Sequence, residues 1–285
     1  MLSKKILIGT ANFGKKYGLK KKKIKVNELK KIVRFSNLQG IKFMDTAQNY
    51  DNESRLEKLN LKKWNIITKL NYNDNQDKDY LKKFKKKLKI KKIYGILIHL
   101  SKTEEILKKR NKIFYKELIK LKKEKIVKKV GFSIYTIKDL TLVLSNFKVD
   151  IIQCPINIFD KRFEKSGLLK KVKEKNIELH ARSIFLQGLL LQNTKNIPKQ
   201  FNNYKNLFKK WDSYLQKQKV NKLEACLYYV SKIKEIDKII IGVDNFDQFK
   251  NIFLASRKIK KLSLPDFKLK NISKYNNLID PRTWI

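Results

Sequence analysis

Cysteine, histidine, proline and glycine are all scarce in this chain, and each scarcity excludes something. Its 285 residues include two cysteines, two histidines, four prolines and nine glycines. Cys154 and Cys226 lie far apart and outside any C-x-x-C pair, so they make no disulfide framework. Both sit in apolar segments, where buried free thiols are expected. His99 and His180 are the only histidines, so no ligand cluster at metal spacing exists and no metal is expected. No G-x-G-x-x-G follows the first apolar run, which removes the dinucleotide fingerprint of a Rossmann domain. No G-x-S-x-G marks a nucleophile. No apolar run approaches the ~20 residues that span a bilayer. The stretch Ile6 to Ile8 is too short for a signal peptide. A cytoplasmic protein with no membrane partner is therefore expected. No stretch rich in Pro, Gly or Ser divides the chain.

Carboxylates are scarce too. Asp and Glu number 26 against 69 Lys and Arg, a formal net charge of +43. Nucleic-acid binding is the first reading of such a charge. The positive residues are nearly all Lys, however, and Arg is the residue suited to bidentate phosphate and base contacts. Runs such as Lys20–Lys23, Lys85–Lys87 and Lys122–Lys125 fit the solvated faces of helices. No specific nucleic-acid partner is expected, only nonspecific attraction of polyanions at low salt.

What is present is a repeating pattern. The apolar fraction of 42% argues against disorder. Short apolar runs at Ile6–Gly9, Lys42–Asp45, Ile66–Lys69, Gly95–His99, Lys129–Phe132, Ile151–Cys154, Glu178–Arg182 and Ile239–Gly242 read as strands. Helical patterns separate them, among them Asn27–Leu38, Asp77–Leu88, Glu104–Lys122, Lys138–Asn146 and Lys222–Lys232. Continuous Ile- and Leu-rich strands alternating with helices predict a parallel sheet covered on both faces. Eight strands and about eight helices predict an α/β fold, a (β/α)8 TIM barrel forming one domain over residues 1–285. An open doubly wound sheet is the rival. The missing glycine fingerprint counts against it. So do polar residues at successive strand ends, because a barrel collects its chemistry on that rim. Residues 190–215 are polar and Asn-rich and read as a long loop over the barrel mouth, with room for a short helix. Residues 262–285 read as a tail across one end.

The strand-end residues carry the chemistry. Asp45 ends one strand, Tyr50 follows five residues later, and Lys69 and His99 end the next two. Singly, each has a plain structural reading: one Lys among many, a hydrogen-bonded His, an Asp-Thr-Ala turn, a packed Tyr. In a barrel they converge. Tyr, with an ordinary pKa of about 10, is a poor acid at neutral pH. A Lys ammonium within hydrogen-bond reach lowers that value. Asp45 would keep Lys69 charged, and His99 would orient a carbonyl or relay its proton. Such a set suits proton donation to a carbonyl that is being reduced.

Larger motifs surround these residues. Gly9-Thr10-Ala11-Asn12-Phe13-Gly14 is followed by Tyr17-Gly18, and Gly40 to Tyr50 reads G-x-x-x-x-D-T-A-x-x-Y. Further on come Val130-Gly131-Phe132-Ser133, Gln153-x-Pro155-x-Asn157, and the run Ala181 to Leu190. On these motifs the sequence resembles an aldo-keto reductase from about Ile6 to Ala255. The resemblance implies a barrel that binds NAD(P) without a Rossmann fold and reduces a small-molecule carbonyl substrate to an alcohol. It implies Asp45, Tyr50, Lys69 and His99 as the catalytic set. Gly9 and Thr10 would border the coenzyme, and Ser133 and Gln153 would hold its carboxamide. Arg182 stands where many relatives place an aromatic residue on the nicotinamide ring. Phe185, Gln187 and Gly188 would line the pyrophosphate, and Gly242, Asp244 and Gln248 the adenosine end. Family habit favours NADP(H) over NAD(H), although a carboxylate at Asp244 would repel a 2′-phosphate.

The chain departs from the family pattern in places. Ile134 replaces an Asn, Asp51 replaces a Gly, and the short Asp45-to-Lys69 segment implies a trimmed helix. Phe159, Arg162, Phe185 and residues 190–215 are expected to shape the pocket. The Ala181–Leu190 run resembles bacterial reductases of sugar-related substrates. Two other classes stay open: a noncatalytic, coenzyme-binding regulatory barrel and a nucleic-acid-binding protein.

Overall fold

Ile6 and Ile8 pack outward under helices while Leu7 between them points into a separate inner cluster with Ile67, Leu97 and Ile151. Alternate residues of a strand face opposite sides. Runs that are apolar at every position are therefore buried on both. The computed structural model describes residues 1–14, 18–19, 23–71, 77–100, 102–259, 261–265 and 272–284. Tyr17 and Lys20–Lys22 lie outside the described residues.

Eight parallel strands close into a barrel. They are β1 (Ile6–Gly9), β2 (Phe43–Asp45), β3 (Asn65–Leu70), β4 (Ile93–His99), β5 (Val127–Ser133), β6 (Ile151–Pro155), β7 (Glu178–Arg182) and β8 (Ile236–Ile241). Each pairs with the next, and β8 returns to β1 through Ile6 and Ile239. The main helices are α1 (Val26–Leu38), α2 (Asp77–Leu88), α3 (Lys109–Lys123), α4 (Ile137–Asn146), α5 (Leu168–Glu174), α6 (Lys205–Lys217), α7 (Lys222–Lys232) and α8 (Phe246–Arg257). This is the expected (β/α)8 barrel. Between β2 and β3 stands one α turn, Glu53–Leu56, where the repeat would place a full helix.

Local chemistry sets the helix starts. Thr136 and Asp139 form a reciprocal capping box on α4, and Asn221 and Glu224 form another on α7. Along α2, Leu81, Phe84 and Leu88 are buried, while Lys82, Lys83, Lys86 and Lys87 face solvent. Among the described residues, no helix is long and apolar enough to cross a membrane.

Two expectations change. Residues 190–215 are not mainly loop: 3-10 turns at Thr194–Asn196 and Lys199–Tyr204 lead into the thirteen-residue α6. Phe208, Trp211 and Leu215 fall on one side of α6 and are buried, with Phe208 and Trp211 against Phe159. β8 begins at Ile236 rather than Ile239, and within the added residues the Lys238 ammonium lies 4.1 Å from the centre of the Phe43 ring. At that N-terminal end of the barrel, Tyr94 and Lys129 both donate to Glu178, at 2.7 and 2.6 Å. Burial works against the Glu178 carboxylate, but His180, Lys129 and Tyr94 outweigh it and hold its pKa at about 2.

Candidate active site

Strand register gathers the polar strand ends at the opposite, C-terminal rim. Gly9 pairs with Asp45, His99 with Ser133, Ser133 with Gln153, and Pro155 with Arg182. All fifteen residues singled out in the sequence for catalysis or coenzyme binding line one cleft of about 360 Å³ there.

At its floor, Lys69 and Asp45 are almost wholly buried and form an ion pair. Lys69 Nζ also donates to the Thr46 carbonyl at 3.1 Å, and Gln153 Nε2 donates to Asp45 Oδ1 at 2.9 Å. A buried charge pair needs this kind of further hydrogen bonding to offset its desolvation. Lys69 Nζ lies 5.2 Å from the centre of the Tyr50 ring.

The loop carrying Tyr50 is fastened from below. Asn52 is buried and donates to Thr10 Oγ1 at 2.8 Å and to the Thr10 carbonyl at 3.0 Å, while Thr46 donates to Asn52 Oδ1 at 3.1 Å. Asp51, standing where the family has glycine, adopts a left-handed φ of 48°. Asp tolerates that region better than most side chains. Gly14 is required by close approach, since a Cβ there would meet the Tyr50 carbonyl at 2.0 Å.

The electrostatics differ from expectation at Tyr50. Burial and the Asp45 carboxylate push its phenol above the ordinary range, and Arg182 offsets only part of this. Among the described residues its hydroxyl has no hydrogen bond, and Lys69 is directed instead to Asp45 and Thr46. His99 moves the other way. Burial, with Lys69, Arg182 and Arg282 nearby, holds its pKa at about 3, so the imidazole is neutral. His99 Nε2 lies 3.3 Å from the Tyr135 hydroxyl.

Among the described residues, three buried polar atoms of the cleft-lining residues have no partner, Asn12 Oδ1, Ser133 Oγ and Gln153 Oε1. Ser133 Oγ can donate and Gln153 Oε1 accept, which matches the two functions of a primary carboxamide. The wall after β7 is conformationally strained. Ser183, Leu186, Gln187 and Gly188 all have positive φ within six residues, Leu186 while fully buried.

Several residues join the cleft that the sequence did not single out as site residues. Asn12 Nδ2 donates to the Val243 carbonyl and, at 3.4 Å, to Asp244, tying the first loop to the end of β8. The Tyr135 ring lies between two guanidiniums, Arg182 at 4.1 Å and Arg282 at 3.6 Å from its centre. Arg182 therefore already stacks on Tyr135, with a hydrogen bond to the Ile134 carbonyl at 2.9 Å. Phe159 and Arg162 do not line the cleft. Phe159 is buried against α6, and Arg162 is held by Asp160 at 2.8 Å through two nitrogens. Of residues 190–215, Leu191 reaches the cleft.

A sequence model of the Aldo/keto reductase family matches residues 5–271. No curated protein matches the chain. Solved structures do. An aldo-keto reductase of Bacillus halodurans in holo form superposes with a TM-score of 0.70 at 17% identity, covering 95% of this chain and 91% of that one. A glycerol dehydrogenase of Gluconobacter oxydans gives 0.66 at 17% identity, covering 97% and 92%. Identities this low carry the fold alone.

Proposed function

The chain belongs to the aldo/keto reductase family, and on that premise we propose that it reduces an aldehyde or ketone, sugar-related carbonyls included, to an alcohol using NAD(P)H, with Tyr50 as proton donor. The observation that carries the reading is the buried Lys69–Asp45 pair beneath the Tyr50 ring, with neutral His99 on the next strand of the same cleft. The unpartnered Ser133 Oγ and Gln153 Oε1 supply the fit for a nicotinamide carboxamide.

When bound, a reduced nicotinamide supplies hydride to the carbonyl carbon. Tyr50 donates its proton to the substrate oxygen. A raised phenol pKa keeps the donor protonated at neutral pH, and an alkoxide is a stronger base than a phenolate, so the transfer still runs downhill. Lys69 stabilises the tyrosinate left behind, and Asp45 fixes the Lys69 ammonium in place. The neutral His99 orients the carbonyl through Nε2.

For the coenzyme we assign NADP(H). Lys23 and Lys25 border the cavity at the Asp244–Gln248 end, together with Glu28. Glu28 is engaged by the Phe246 amide at 2.8 Å and by Lys31 at 2.9 Å. Two lysines thus face one remaining carboxylate, Asp244, which favours a 2′-phosphate.

The test is Tyr50→Phe. Turnover of 4-nitrobenzaldehyde falls at least ~100-fold while NADPH binding, read by fluorescence titration, changes little and exceeds NADH binding. Full turnover in the variant sinks the mechanism. NADPH binding without oxidation across an aldehyde panel replaces it with a regulatory barrel.

A further inference from the structure

The His99 ring is neutral, and a neutral imidazole carries one proton on either of its two nitrogens. A carbonyl oxygen is held at Nε2 only when that nitrogen bears the proton. The hydrogen bond that the ring already makes decides which nitrogen does. Among the described residues the ring makes one, between Nε2 and the Tyr135 hydroxyl at 3.3 Å. The two rings lie nearly parallel, 14° apart in plane with centres 6.4 Å apart.

Tyr135 is half-buried, and its backbone and its ring are both tied down. Its amide donates to Asp139 Oδ2 at 2.9 Å, in the turn that caps α4. Arg182, 4.1 Å from the ring centre, is itself anchored on the Ile134 carbonyl at 2.9 Å. Arg282, 3.6 Å from the same centre, is anchored by its Nε on Asp280 at 2.9 and 3.0 Å. A side chain locked in this way can fix the geometry of the one it touches. The 3.3 Å contact is long for a hydrogen bond, so it is weak. An oxygen gaining negative charge competes for the same proton and wins, because charge-assisted hydrogen bonds are the stronger ones.

We infer that Tyr135 is a positioning residue for His99. In the empty cleft its hydroxyl oxygen accepts from Nε2–H, which sets the tautomer and the plane of the imidazole, and during reduction it gives up that proton's direction to the substrate oxygen. The consequence for turnover rests on the carbonyl-reducing reading of the cleft, whereas the contact does not. A hydroxyl can accept and donate at once, so the Tyr135 proton stays free to turn into the adjoining cavity of about 380 Å³ that both residues border.

The experiment has a spectroscopic and a kinetic arm, both on the full chain with Tyr135→Phe, which keeps the ring between the guanidiniums. With two histidines in the chain, His99→Gln assigns the His99 ring signals of isotope-labelled protein by their loss. The wild type shows an Nε2 proton resonance. Tyr135→Phe loses it, because an unpartnered Nε2 proton beside an open cavity exchanges with water. No such resonance in the wild type, or one undiminished in the variant, overturns the inference. In the kinetic arm, with NADPH and 4-nitrobenzaldehyde, Tyr135→Phe lowers kcat about threefold to tenfold, the effect of one hydrogen bond. NADPH affinity moves less than about twofold, since no coenzyme contact is removed. In the His99→Gln background the same change costs less than about twofold, because the group it acts through is gone. Unchanged kcat, or equal losses in both backgrounds, also overturns the inference. If the wild type turns over no aldehyde, the reductase reading fails, and the Nε2 proton then decides whether Tyr135 holds the ring.

Discussion

Lys69→Met is the most informative single substitution, because it separates what the buried ion pair does for the fold from what it does for chemistry. Lys69 and Asp45 are 2% and 3% exposed. Methionine fills the lysine stem's volume and leaves Asp45 buried with only Gln153 beside it. Removing one member of a buried pair costs about 3–5 kcal/mol. With an unfolding entropy of ~2.1 cal/mol/K per residue, a chain of 285 residues loses roughly 5–8 °C in Tm. A buried carboxylate without its counter-ion recovers part of that loss by taking up a proton, so the deficit is smaller in acid than at pH 8. Asp45→Asn combined with Lys69→Met removes both charges and keeps the Gln153 hydrogen bond, so most of the stability returns while turnover does not. The assay is thermal unfolding of wild type, both single variants and the double variant at pH 5.5 and pH 8. A Lys69→Met protein as stable as wild type at pH 8, or a double variant no more stable than Lys69→Met, refutes the reasoning.

With His99 held at about 3, below the ordinary 6.5, kcat/KM shows no inflection between pH 5 and 8 assignable to this residue. An inflection near 6.5 that disappears in His99→Gln counts against it. The same shift sets a stability trend. Below 6.5 the unfolded chain binds a proton at His99 that the folded chain does not, so stability falls as pH drops from about 6.5 towards 3. Ser133→Ala weakens NADPH binding about 5–10-fold in fluorescence titration, the loss of one hydrogen bond. Unchanged affinity would remove Ser133 from the coenzyme site.

The strands were legible wherever an apolar run met solvent on neither face, and β1 and β7 have the bounds their residues suggest. The start of β8 was not, because Asp237 and Lys238 interrupt the apolar pattern while serving the closed end of the barrel. Helix α6 was hidden by its Lys-rich composition and the Asn-rich stretch before it, yet Phe208, Trp211 and Leu215 at i, i+3 and i+7 carried the signal. The meeting of these residues in one cleft was legible because a barrel brings strand ends together regardless of loop detail. The walls were not. Phe159 and Arg162 turn away to partners at α6 and Asp160, and Tyr135 and Arg282 reach the cleft through loop and tail packing that no local pattern encodes.

Arg282 also fixes when the site is complete during synthesis. The four residues proposed for catalysis and the last strand have all been made by Ile241, but the guanidinium that closes over Tyr135 comes about 40 residues later, a delay of roughly 2–8 s at ribosomal rates. A nascent chain in that interval has the residues of all eight strands but one unfinished wall. The wall over Tyr135 is therefore completed only by the tail, the last part of the chain to be made.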